Sequence, residues 1–222
     1  MLVQIYEVQT PAEAVALAAL GVDHIGVLVG DGAFPRELPA ARVAAIFAAL
    51  PPGAKRVALS LSADRAEIAR VIKQTRPDII HIGAAVELFS VGDTQAIKTA
   101  FPDVRIMRAI PMVDEAIVKC AKDYRGVADF LLLDSHDPGD RQIGARGRVH
   151  DWGISRRIVG EAGVPAILAG GVDADNVAAA IAAVRPAGVD SKTKTDRADG
   201  RGKDLDKVRG FVTAAKLTRS TQ

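Results

Sequence analysis

Apolar residues along this chain fall into two rhythms that take turns from end to end. Short runs such as Leu2-Val3-Gln4-Ile5-Tyr6 and Phe130-Leu131-Leu132-Leu133 have the length and character of buried strands. Between them lie stretches with apolar residues three or four apart, such as Val43, Ile46, Phe47 and Leu50, which make one face of a helix. The pattern predicts strands over 2–6, 22–29, 56–61, 78–82, 104–110, 129–133, 165–168 and 188–190. It predicts helices over 11–20, 40–50, 63–74, 93–100, 114–123, 152–162, 173–184 and 205–217. Local signals mark several boundaries. Thr10, Pro11 and Glu13 form a helix start, and Gly21 forms a helix stop. Pro51-Pro52-Gly53 breaks the second helix, and Asp151 is placed to cap the helix that begins at Trp152.

Eight strands alternating strictly with eight helices predict one (β/α)8 barrel, a single domain over 1–222 with 218–222 as a disordered tail. Continuous Val, Ile and Leu in the strands is expected where both faces of a parallel sheet are buried. The rival is an open doubly wound sheet. Against it, no GxGxxG follows the first strand, and no break in composition marks a second domain.

In a barrel the loops after the strands converge on one face, so strand-end residues become neighbours. This brings together Tyr6 and Glu7, Arg36, His81, Arg108, Asp134, Gly170 and Gly171, and Asp190 with Ser191. Asp134 closes an apolar run beneath a loop rich in glycine and arginine (Gly139, Arg141, Gly144, Arg146, Gly147, Arg148). That is the layout of a barrel active site, although a strand-ending Asp also commonly caps its own turn. Gly170-Gly171, ahead of a helix start carrying Asp173 and Asn176, has the shape of a phosphate cradle. Ser191, Lys192 and Lys194 lie in the next loop, where the lysines can act as point charges on an anion. The rest of 191–204 is expected to be a solvated, mobile loop.

Composition narrows the function classes. Hydrophobic residues make up 49% of the chain but aromatics only 4%, which suits helix-on-strand packing. The net charge of +2 is carried by scattered basic residues, which argues against nucleic acid as a partner. The single cysteine, Cys120, excludes an intrachain disulfide and reads as a structural thiol on a helix. His24, His81, His136 and His150 have no metal-binding spacing, so no metal is expected. There is no charged-then-apolar leader and no 18-residue apolar run, so the expectation is a soluble cytoplasmic protein without membrane contact. The sequence leaves a monomer and a homodimer both open.

The chain resembles the phosphoribosylanthranilate isomerase family of the tryptophan pathway over nearly its whole length. The resemblance rests on Gly21-Val22-Asp23-His24-Ile25-Gly26, Phe34-Pro35-Arg36, Leu132-Leu133-Asp134-Ser135 and Gly144-Ala145-Arg146-Gly147 before Asp151-Trp152. It continues through Leu168-Ala169-Gly170-Gly171-Val172, Asn176-Val177, Gly188-Val189-Asp190 and Gly202-Lys203-Asp204. It implies a cofactor-free (β/α)8 barrel that isomerises an N-linked phosphoribosyl aminoaldose to an aminoketose. It further implies Asp134 as the general acid and Arg36 as the clamp on a substrate carboxylate. Phosphate would lie on Gly170 and Gly171 and on the loop with Ser191, Lys192 and Lys194.

Two places depart from the family pattern. Tyr6 stands where the family carries its base, a cysteine, and Glu7 stands where it carries glycine. Glu7 is therefore the candidate base, with His81 as the alternative, and Tyr6, His81 and Arg108 are further candidate substrate contacts. Lys194 replaces a glycine of the phosphate loop, and His81 replaces a glutamine. The leading expectation is thus an isomerase acting on a small phosphorylated sugar-type substrate. A lyase or hydrolase on a related phosphoribosyl compound and a non-catalytic phosphosugar-binding protein are the alternatives.

Overall fold

The computed structural model describes residues 1–135 and 150–218. The Gly- and Arg-rich segment with Arg141, Arg146 and Arg148, and the last tail residues 219–222, lie outside the described residues. Eight parallel strands close on themselves in chain order: β1 (Leu2–Ile5), β2 (His24–Leu28), β3 (Lys55–Ser60), β4 (Ile79–Ile82), β5 (Arg105–Met112), β6 (Phe130–Ser135), β7 (Ala166–Leu168) and β8 (Gly188–Ser191). The closing pair runs Leu2↔Gly188 to Ile5↔Ser191. Around them lie α1 (Pro11–Ala19), α2 (Ala40–Ala48), α3 (Arg65–Thr75), α4 (Val91–Ala100), α5 (Ile117–Asp123), α6 (Trp152–Glu161), α7 (Val177–Val184) and α8 (Leu205–Leu217). The architecture is the (β/α)8 barrel.

Side chains that stop the orphan N–H groups of the first turn fix the helix starts. Thr10 accepts from Glu13 N, Asp151 from Gly153 N and Asp204 from Asp206 N, while Ser90 and Asp93 cap each other reciprocally. Thr218, assigned to the tail by the pattern, instead closes α8, its hydroxyl donating to Ala214 O at 2.8 Å.

The main apolar core lies between the strands and the helices, and includes Ile5, Leu17, Ile46, Ile68, Ile110, Leu133 and Phe211. A smaller cluster fills the barrel interior: Tyr6, Val57, Ile79, Met107, Leu132, Ile167 and Ala169. Polar side chains share that interior. His24 Nδ1 meets Gln4 Oε1 at 3.0 Å, and Gln4 Nε2 donates to Asp190 Oδ1 at 3.2 Å. A buried chain of hydrogen bonds thus links β2, β1 and β8 through the barrel.

Three segments differ from the pattern-based expectation. Strand β6 continues through Asp134 to Ser135, so Asp134 belongs to the sheet itself and pairs with Pro111. Helix α7 begins only at Val177, because Asp173 and Asn176 form a side-chain-bonded turn ahead of it. The 191–204 segment is built, not merely solvated. It contains a 3-10 turn at Thr193–Thr195 and an antiparallel bridge between Asp196 and Lys203.

Candidate active site

The C-terminal ends of the strands and the loops after them hold most of the predicted site residues, and Glu7 is the one whose position depends most on backbone conformation. In an extended strand, residues 6 and 7 point to opposite faces. Tyr6 points into the barrel, which would send Glu7 outward. Glu7 instead has φ of 60°, a left-handed conformation rare outside glycine, and this turns it onto the mouth. Its Oε2 lies 3.3 Å from Arg36 Nε and 3.2 Å from Lys192 Nζ. That oxygen is buried, yet it makes no hydrogen bond of acceptable geometry among the described residues. Charge holds it, with no donor aimed at it.

Arg36 also has a left-handed backbone, with φ of 70°. Left-handed non-glycine residues cluster at functional sites, where surrounding contacts sustain the strain. The Arg36 guanidinium donates to Asp196 Oδ2 at 2.8 Å and to Glu7 O at 3.1 Å, and Gln9 donates to Arg36 O at 3.1 Å. Asp196 in turn accepts from Lys203 Nζ at 2.7 Å, and Lys203 also donates to Lys192 O at 2.9 Å. Lys203 is buried, and that burial lowers its pKa against the pull of Asp196. This network ties the loops after β1, β2 and β8 into one unit.

Asp134 is half-buried at the end of β6, its Oδ1 accepting from Ser135 N at 2.8 Å. It lines a cleft with Gly170, Gly171, Val172, Asp190, Ser191, Lys192, Thr193 and Lys194. Gly170 and Gly171 have consecutive positive φ values of 77° and 68°, which only glycine adopts without strain. Ser191 faces the cleft but donates its hydroxyl to Val172 O at 2.8 Å. Lys194 Nζ lies 3.9 Å from Asp173 Oδ2. The free volume of this cleft is only ≈ 20 Å³, about what one water needs.

Asp190 was legible as a strand end but not as a site residue. It is buried against Gln4, and its pKa is raised to about 8, first by burial and then by the charge of Asp134. It therefore keeps its proton at neutral pH beside Asp134. Lys203 and Asp196 were likewise missed as parts of the site. The Gly202-Lys203-Asp204 sequence offered a signal for Lys203, but nothing local indicated what its ammonium would reach.

Tyr6 and His81, expected as substrate contacts, are brought together beneath the mouth. The Tyr6 hydroxyl lies 2.6 Å from His81 Nδ1 and 3.7 Å from Met107 Sδ. His81 Nε2 has no hydrogen-bond partner among the described residues. Burial, with the charge of Arg108, pushes His81 down to about 3, so it is a weak proton acceptor. Burial also raises the Tyr6 hydroxyl well above its ordinary value. Neither is a base at neutral pH.

Arg108 corrects the expectation placed on it. Its neighbour Met107 faces the barrel interior, so alternation along β5 sends Arg108 to the helix side. There it is fully buried, donating to Ile82 O at 2.8 Å, Ala84 O at 2.7 Å, Phe89 O at 3.1 Å and Tyr124 Oη at 3.2 Å. Its donors fasten the loop after β4 and do not reach the mouth.

Among the described residues no cluster of three or more His, Cys, Asp or Glu is arranged to hold a metal, and no helix is long and apolar enough to cross a membrane.

The fold and the site together define a (β/α)8 barrel with carboxyl groups and a glycine- and lysine-lined cleft at its C-terminal mouth. A family model for N-(5'-phosphoribosyl)anthranilate (PRA) isomerase matches residues 5–214, and the chain belongs to that family. An N-(5'-phosphoribosyl)anthranilate isomerase of Methanocella arvoryzae is 34% identical over 218 residues, covering 98% of this chain and 99% of the relative. One of Haloferax volcanii is 33% identical, covering 98% and 94%. The crystal structure of phosphoribosyl anthranilate isomerase from Thermus thermophilus shares the fold with a TM-score of 0.82 at 22% identity, covering 98% and 99%. A phosphoribosyl anthranilate isomerase solved with reduced 1-(o-carboxyphenylamino)-1-deoxyribulose 5-phosphate shares it with a TM-score of 0.74 at 22% identity, covering 98% and 100%.

Proposed function

We propose that this chain isomerises N-(5'-phosphoribosyl)anthranilate to the corresponding 1-deoxyribulose 5-phosphate, with Asp134 as acid and Glu7 as base. The observation that carries the reading is the left-handed turn at Glu7. It puts a carboxylate at the mouth of a family barrel, beside Arg36 and next to the cleft holding Asp134. Asp134 protonates the ribose ring oxygen as the C1–O bond breaks and the nitrogen lone pair forms an iminium. Glu7 takes the C2 proton, and the C2–H electron pair forms the C1=C2 bond of an enolamine while neutralising the nitrogen. Return of the Glu7 proton to C1 and loss of the enol proton to Asp134 give the ketone and restore both carboxyl groups.

Arg36 would hold the anthranilate carboxylate, while Gly170, Gly171, Lys192 and Lys194 would receive the phosphate. Ser191 would line that subsite, and Tyr6 with His81 would form the floor beneath the sugar. Residues 1–222 acting as one barrel domain, a cytoplasmic location, a monomer or homodimer, and no nucleic-acid partner go with this reading.

The test is a fluorescence time course on phosphoribosylanthranilate with the wild type, Glu7→Gln and Asp134→Asn. The expected result is wild-type turnover that each variant loses by about 10²–10⁴-fold, the usual contribution of a positioned acid or base. Wild-type protein no faster than buffer contradicts the assignment.

A further inference from the structure

Lys192 belongs to two places at once. It lines the anion cleft with Gly170 and Gly171, and its ammonium lies 3.2 Å from Glu7 Oε2. Strand β1 pairs with β8 directly, Ile5 against Ser191, which brings the loops after the two strands side by side. A Glu7 carboxylate held between two cations is not free to approach a substrate until they release it. Because Lys192 lines the cleft, a phosphate bound there would compete with Glu7 for its ammonium. A dianion offers that ammonium more charge and more acceptor oxygens than one carboxylate oxygen held without good hydrogen-bond geometry.

Resting on the function proposed above, we infer that Lys192 couples phosphate binding to release of the base. In the empty site it clamps Glu7, and the substrate phosphate draws it into the cleft. The substrate carboxylate takes Arg36 in the same event, which leaves the buried Glu7 oxygen facing C2. Lys192 is then a positioning residue acting through Glu7. The phosphate, remote from the reacting carbons, contributes to kcat as well as to binding, the signature of binding energy used in the transition state. Lys203, which donates to Lys192 O and to Asp196, anchors the backbone about which Lys192 swings.

The experiment divides the substrate. Turnover of phosphoribosylanthranilate is measured first, then turnover of its dephosphorylated form with and without inorganic phosphite, for wild type, Lys192→Met and Lys192→Arg. Expected for the wild type is slow turnover of the dephosphorylated compound that phosphite raises by at least about tenfold. Lys192→Met should turn over the dephosphorylated compound faster than wild type without phosphite, and should not respond to phosphite. Its KM for the full substrate should rise, and Lys192→Arg should restore the phosphite response. Wild-type turnover of the dephosphorylated compound that phosphite leaves unchanged, including at zero, overturns the inference while leaving the proposed reaction standing. A Lys192→Met variant that is merely slower on both substrates also overturns it. Inactivity of the wild type on the full substrate removes both.

Discussion

Two glycine-like positions at the start of the chain decide what the mouth contains. Gly26 on β2 has no side chain because the Tyr6 ring occupies the space. A Cβ there would stand 2.3 Å from Tyr6 Cδ1, far inside contact distance. Gly26→Ala is therefore expected to cost roughly 1–3 kcal/mol in urea unfolding. Tyr6→Leu should be costly alone but should remove most of the additional Gly26→Ala penalty, because the two changes act on one space. Strictly additive penalties would show that the ring is not the obstacle. Glu7 is the converse case, a side chain where glycine would be relaxed. Its left-handed backbone was not legible from residue type, since local propensity argues against it. What holds the turn is tertiary: Arg36 donates to Glu7 O, and Gln9 donates to Glu7 O and to Arg36 O.

At the scale of the element, period-2 alternation separates residues that a list of strand ends treats alike. Arg108 lies mid-strand in β5 and Asp134 near the end of β6, and one is locked behind the sheet while the other lines the mouth. Arg108→Met should destabilise the protein by about 3 kcal/mol or more, because buried carbonyls and the Tyr124 hydroxyl lose their donor. The folded variant should keep its KM for phosphoribosylanthranilate within about twofold, since Arg108 does not reach the ligand. A rise in KM of tenfold or more at preserved stability would place Arg108 in the site after all. Legibility differed between segments for a physical reason. Helix starts at Thr10, Asp151 and Asp204 follow from side chains a few residues from the groups they satisfy. The order in 191–204 depends on Lys203 reaching Lys192 O and on Glu13 accepting from Lys203 N, a partner 190 positions away.

The whole molecule carries its titration in the barrel interior and around it. Burial lowers His24 to about 4, His81 to about 3 and His150 to about 4, from an ordinary 6.5. Below pH 6.5 the unfolded chain binds protons at these positions that the native state refuses. Their contribution is complete above pH 6.5 and is lost as pH falls through about 4. Asp190 acts oppositely. Its native pKa of about 8 exceeds the ordinary 3.8, so its contribution is complete below 3.8 and is lost as pH rises towards 8. With the histidines outnumbering the aspartate, the urea midpoint should climb from pH 4 to 6.5 and then decline gently to pH 8. A midpoint that is flat from pH 4 to 6.5 would contradict neutral buried histidines. His81→Asn should shallow the acid limb, and Asp190→Asn should flatten the alkaline one.

The sequence by itself determined the alternation of eight strands and eight helices, the closed barrel, and the strand ends that gather at one face. Those features follow from apolar periodicity and from capping residues near the groups they satisfy. It also carried Asp134, Gly170 and Gly171, because an Asp closing an apolar run and a glycine pair opening a loop are local signs. Only the tertiary structure decided that Glu7 turns onto the mouth, that Arg108 faces the helices, and that Lys192 lies between Glu7 and the cleft lined by Gly170 and Gly171. Each of these depends on a charge or hydrogen-bond partner brought close by barrel closure. Sequence distance carries no information about such a partner until the first strand and the eighth lie side by side.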